Sequence, residues 1–164
     1  MLTAPIEGYA ALFGRPDLAG DIICRGAFAR SLARRRPGDI ALLYQHAAEQ
    51  PVGRWTALRE DETGLFARGE LLLDATAGRE AHALLKGRAL SGLSIGFAPV
   101  RARQRASQRR NSRPGRTGRE LLEIDLWEIS IVTFPMMPGA RITRVGGATS
   151  PAEKIRTATR LITA

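Results

Sequence analysis

The stretch RELLEIDLWEISIVTFP, residues 119–135, constrains the fold more than any other in the chain. It is the longest strand candidate, and Pro135 and Pro138 end it. Two-residue alternation places Leu122, Ile124, Leu126, Glu128, Ser130 and Val132 on one face, and Glu123, Asp125, Trp127, Ile129, Ile131 and Thr133 on the other. Glu128 therefore shares a face with aliphatic side chains, where an unpartnered carboxylate is costly to bury. A histidine, or an arginine such as Arg54, would relieve that cost, whereas Glu123 and Asp125 sit nearer the start of the strand and are more easily solvated.

Shorter pieces of strand character precede it. PIEGYAALFG alternates before Gly14 and Pro16 break it, and IALLYQH has the profile of a buried strand ending at His46, with a turn expected in AAEQPVG. VGRWTALRE and GLFARGELLL flank an acidic turn, DETG, and form an expected hairpin. DATAGREAHALLKGRAL is a helix: Asp74 or Thr76 caps it, Ala81, Leu84 and Leu85 share one face, and Arg79, His82 and Lys86 share the other. A weaker helix lies at GAFARSLARR, with Phe28 and Leu32 four residues apart. GLSIGFAPVRAR returns to strand character, and residues 147–164 form a tail that can end in a short helix. The expected fold is thus mainly β with flanking helices (α+β), a barrel or curled sheet of six or seven strands, in one domain over residues 1–146.

Bulk properties narrow the function less. No run of 18 or more apolar residues occurs and no basic-then-apolar leader opens the chain, so a soluble protein without membrane contact is expected. Cys24 stands alone and supports no disulfide framework; as a nucleophile it has no supporting motif, since lone cysteines are more often simply buried. The net charge is +9, from 23 arginines and two lysines against 16 acidic residues. Eight of those arginines fall between Arg101 and Arg119 in a stretch poor in apolar residues, expected as a solvated loop that offers weak contact to nucleic acid or an acidic partner. Neither a metal nor a cofactor is expected: two separated histidines without an HExxH or CxxC cluster give no ligand set.

Within ALSGLSIGFAPV, Gly92-Leu93-Ser94-Ile95-Gly96 matches the G-x-S-x-G pattern of serine hydrolases. An α/β-hydrolase elbow needs a strand before the serine, a helix after it and a later histidine. Here a helix precedes Ser94, strand character follows it, and both histidines, His46 and His82, come earlier. That reading is rejected. A serine nucleophile still needs a base. His82 lies on a polar helix face among cations and reads as a surface residue, which leaves His46 at the sheet rim.

These residues resemble the HK97-type prohead maturation proteases of tailed phages and phage-derived gene transfer agents. The likeness spans roughly residues 6–140 and has four ordered blocks: GYAALFGRPDLAGDIICRGAFARSL; LLYQH followed by PVGRW; ALSGLSIGF; and EIDLWEISIVTFPMMPGA. It implies an antiparallel β-barrel like the herpesvirus assemblin, and a serine endopeptidase with His46 as base and Ser94 as nucleophile. Glu128 follows as third member from the Glu-x-Ser block, with Asp125 as the alternative. Gly92 and Gly96 allow close backbone approach to an oxyanion. The implied partners are the major capsid protein with its scaffold segment and, by analogy with assemblin, a second copy of the chain. The implied place of action is the assembling prohead in the cytoplasm of a bacterial host. A nucleic-acid-binding module using Arg101–Arg119, or an inactive head-assembly protein retaining the protease fold, are the competing expectations.

Overall fold

Alternation of small and branched apolar residues makes the N-terminal segment a strand with one face fully buried. Ala4, Ile6 and Ala10 each retain at most 1% exposure in β1 (Thr3–Leu12). The computed structural model describes residues 1–105, 118–150 and 152–153. After β1 come β2 (Ile22–Ile23), α1 (Ala29–Arg34), a 3-10 turn at Pro37–Asp39, β3 (Ala41–Tyr44), β4 (Ala47–Glu60) and β5 (Gly64–Leu72). Then follow α2 (Thr76–Lys86), β6 (Gly92–Gln104), β7 (Arg119–Val132) and β8 (Arg141–Val145).

The strands run in the order β7-β3-β4-β5-β1-β8-β6, and β6 pairs back onto β7, closing a seven-strand barrel. The short β2 adds outside the ring, parallel to β7. The expected barrel with few helices is therefore borne out. One neighbour relation in the ring departs from antiparallel: β3 runs parallel to β7, with Ala41 beside Glu128 and Tyr44 beside Ile131. The barrel interior is filled by aliphatic side chains, including Leu42, Leu65, Leu71, Leu93, Leu126 and Ile129. No helix among the described residues is long and apolar enough to cross a membrane.

Strict alternation fails in β7 for a local reason. Residues 126 and 128 face Phe97 and Gly96, so Trp127 is an extra residue; Leu122 is a second, between partners of Ala102 and Arg101. Each bulge resets the phase of the strand. Leu121 is consequently the fully buried residue and Leu122 is only half-buried, the reverse of the simple two-residue reading. The Trp127 bulge is held from α1. Ser31 Oγ accepts the Leu126 N–H at 3.0 Å, and the Arg35 guanidinium donates to the Leu126 carbonyl at 2.6 Å.

Helix α2 begins at Ala75 without a side-chain cap, because the Asp74 carboxylate instead accepts the Leu2 N–H at 2.9 Å. Ala81 and Leu85 are buried as expected, but Leu84 points outward and is 37% exposed. His82 is half-buried rather than a free surface residue, its Nε2 donating to the Gly146 carbonyl at 3.0 Å. The Arg-rich stretch is not all loop: Arg101–Gln104 belong to β6 and Arg119 begins β7. Arg119 N–H and guanidinium both donate to the buried Asp21 carboxylate, which closes the base of this excursion. Residues 106–117 and the helix expected in the tail lie outside the described residues, while Thr149 forms a bridge with Thr3.

Candidate active site

Antiparallel register sets the first half of the site. In the β6–β7 pair Ser94 is opposite Ser130, and Gly96 is opposite Glu128. Directly opposed residues project to the same face, with Cβ atoms roughly 4.5–5.5 Å apart. Ser94, Ser130 and Glu128 therefore share one patch, with Gly96 as the gap in it. The gap is needed. A Cβ on Gly96 would lie 2.5 Å from Cγ and from Oε1 of Glu128, so the glutamate side chain occupies the space a side chain would take. Gly92 has a different reason: a Cβ there would meet the Val132 carbonyl at 2.5 Å and the Pro135 ring at 3.0 Å.

The second half comes from β3 and its turn. Tyr44 pairs with Ala47, so Gln45 and His46 are the two central residues of the β3–β4 hairpin. Both have positive φ, 52° and 62°, as a type I′ turn requires. The turn thus lies at His46 itself, earlier than AAEQPVG, and Ala47 already belongs to β4. Neither residue is the usual Asn or Gly, and contacts to β7 compensate. Gln45 N–H donates to the Ile131 carbonyl at 2.9 Å, and its side-chain amide donates to Thr133 Oγ1 at 2.8 Å. The same amide accepts the Thr133 N–H at 3.3 Å.

So held, His46 reaches Glu128 across the parallel β3–β7 pair: Nδ1 lies 2.6 Å from Oε1. Ser130 Oγ donates to Oε2, the other carboxylate oxygen. The Glu128 side chain is only 14% exposed, so both oxygens are partnered where water is scarce, while His46 remains 44% exposed on its outer side. In the neutral tautomer whose Nδ1–H donates to Glu128, Nε2 carries no proton and can accept one. Ser94 is 5% exposed and makes no side-chain hydrogen bond among the described residues.

The other acids are committed elsewhere. Asp125 is bidentate to Arg35 and accepts the Trp127 indole N–H at 2.9 Å. The Arg35 hydrogen bond, then that of Trp127, hold its carboxyl below the ordinary range. Glu123 pairs with Arg30 at 3.1 Å, and Arg54 pairs with Glu70 rather than Glu128. The structure brings His46 and Glu128 into contact, places Ser94 on the same patch, and keeps Asp125 away with Arg35. Sequence reasoning missed Gln45, Thr133 and the function of Ser130. The signal for Ser130 was present in Glu-x-Ser, two positions apart on one strand face. No group of three or more His, Cys, Asp or Glu among the described residues is placed to hold a metal.

The barrel closed by the β6–β7 pairing is a fold also seen in solved viral proteases. Two solved structures share it: the Kaposi's sarcoma herpesvirus protease in complex with a hexapeptide phosphonate inhibitor, at TM-score 0.50, and the varicella-zoster virus protease, at TM-score 0.53. Each is 14% identical, with 99% of this chain and 77% of the other aligned, a likeness of fold. Residues 2–154 match the family described as caudovirus prohead serine protease, and the chain belongs to that family. The prohead protease of Enterobacteria phage HK97 is 36% identical over 131 residues, 79% of this chain. The chain spans 54% of that relative's length.

Proposed function

We propose that this protein is a serine endopeptidase that removes the scaffold segment of a major capsid protein, and cleaves itself, inside an assembling phage-like head. The observation that carries the reading is the Nδ1–Oε1 contact of 2.6 Å between His46 and Glu128, on the same sheet patch as Ser94. Membership of the prohead protease family supports the substrate.

The chemistry follows from the site. Glu128 holds His46 in the tautomer with Nε2 unprotonated and stabilises the imidazolium that forms. Nε2 takes the Ser94 proton as Oγ bonds to the peptide carbonyl carbon, and the carbonyl oxygen becomes an oxyanion. His46 then returns the proton to the departing amine as the C–N bond breaks. Water, deprotonated by the same imidazole, attacks the acyl-enzyme; the C–Oγ bond breaks, and Ser94 recovers its proton. Glu128 takes no proton from the imidazole in either step. Ser130 restrains the carboxylate through its second oxygen, which keeps the first aimed at Nδ1.

The test is co-expression with the cognate capsid protein, read by intact mass. Wild type is expected to shorten the capsid protein, and Ser94→Ala and His46→Ala to leave it full length while remaining folded. Shortening by the folded Ser94→Ala protein overturns the proposal.

A further inference from the structure

A cavity of about 470 Å³ lies between the end of α2 and β8, away from the His46–Glu128 pair. Its floor is apolar, built from the buried Leu85, Leu90 and Ile142. Its rim carries Lys86, Arg88 and Arg141, all exposed, and no carboxylate lines it. Lys86 and Arg88 form no ion pair among the described residues, and Arg141 donates to the Pro138 carbonyl at 2.7 Å. The negative end of α2 does not cancel these charges. Its last carbonyls are already satisfied, those of Ala83, Leu84 and Leu85 accepting from Gly87, Ala89 and Arg88.

We propose that this cavity is a docking site for an acidic–aliphatic peptide segment of the protein substrate. Three rim cations attract carboxylates, and the apolar floor takes an aliphatic side chain next to them. Charge also decides against the chain's own tail, because residues 154–160 carry Lys154, Arg156 and Arg160. A nucleic acid would meet the cations but has no aliphatic side chain for the floor. Ser91 lines the cavity and precedes Ser94 by three residues, about 10 Å of extended chain. A bound peptide spanning both places carries its acidic residue about three positions from the scissile bond. That placement rests on the protease reading; binding itself does not.

The experiment uses the full-length Ser94→Ala protein, so binding is read without cleavage. Fluorescein-labelled peptides of alternating Glu and Leu, their Gln-for-Glu counterparts and a single-stranded 12-nucleotide DNA are titrated by anisotropy at 0.15 M salt. The Glu peptide is expected to bind on the order of tenfold more tightly than the Gln peptide, as two or three solvent-facing charge pairs allow. Lys86→Glu with Arg88→Glu is expected to abolish that preference and leave Gln-peptide binding unchanged. Lys86→Gln and Arg88→Gln singly are expected to give intermediate losses, and serve as the readout if the double variant does not fold. Equal binding of Glu and Gln peptides, or an unchanged preference in the variants, overturns the site. Tighter binding of DNA, lost in the same variants, overturns the occupant. Full peptide selectivity beside an inert wild-type protein would instead overturn the protease reading and leave the docking site standing.

Discussion

The replacement Gly96→Ala probes the site without touching any group that does chemistry. The backbone of Gly96 is not in the left-handed region, so alanine is conformationally acceptable there. The three nearest atoms all belong to Glu128, whose Cγ and Oε1 lie 2.5 Å from the new methyl carbon, where ordinary contact starts at 3.4 Å. The carboxylate must withdraw by about 0.9 Å, a retreat its flexible side chain, 14% exposed, can make without unfolding the barrel. Such a move lengthens the 2.6 Å bond to His46 Nδ1 past hydrogen-bonding range. Displacement of about 1 Å costs on the order of a hundredfold in rate. The expected cost in stability is no more than about 1–3 kcal/mol. The assay is cleavage of purified capsid precursor, with kcat separated from KM and melting temperature recorded. Gly96→Ala should lower kcat by about two orders of magnitude with KM nearly unchanged, and should add nothing in a Glu128→Ala background, because the group it displaces is gone. Equal losses in both backgrounds would refute the reasoning, since Gly96 would then act on something other than Glu128.

Two further outcomes test the supports of the pair, and a third tests the Asp21–Arg119 contact at the start of β7. Ser130→Ala frees Oε2 of Glu128 and is expected to lower kcat by about tenfold at a stability cost of about 1 kcal/mol, measured by the same assay and by chemical denaturation. Gln45→Ala removes the amide clamp on Thr133 and leaves His46 in a strained turn without its anchor; kcat is expected to fall about tenfold, with higher backbone hydrogen exchange confined to residues 44–47. For Asp21, the Arg119 hydrogen bond outweighs burial and lowers the folded-state pKa below 3.8. Its contribution is therefore complete above the unfolded-state value of about 4 and is lost as pH falls through the folded-state value. Asp21→Asn is expected to destabilise the neutral protein by about 1–3 kcal/mol and to flatten the acid limb of a pH–stability curve measured in urea.

Much of the architecture was legible because barrel strands declare themselves locally. The β4–β5 hairpin, the α2 helix and the extent of β7 follow from alternation, periodicity and Gly/Pro punctuation. The errors have specific structural causes. Trp127 and Leu122 are bulges, and a bulge changes phase without changing composition, so no pattern of apolar residues betrays it. The Asp74 cap failed because Leu2, 72 residues away, supplies a competing donor. The Gln45–His46 turn escaped because type I′ turns are read from Asn and Gly, whereas here contacts to Ile131 and Thr133 stabilise positive φ in residues that do not favour it. Each miss is a long-range contact overriding a short-range preference.

The two glycines of GLSIG show how a motif can be matched for the wrong reason. In a hydrolase elbow, glycines permit a sharp turn from strand to helix. Here they lie in one continuous strand, at ordinary backbone angles, and each is small because of what crosses above it. Pro135 and the Val132 carbonyl lie over Gly92, and the Glu128 side chain lies over Gly96. The same five letters therefore encode close approach rather than a turn. This also explains why the parallel β3–β7 pair matters. It carries the His46 hairpin along the same direction as β7, to the end where β7 presents Glu128 and Ser130, while antiparallel β6 enters from that same end with Ser94 two residues from Gly96. An antiparallel β3 would reverse the strand and take the turn after Tyr44 to the far end of the barrel. The direction of one four-residue strand thus decides whether His46 and Glu128 meet on the face that carries Ser94.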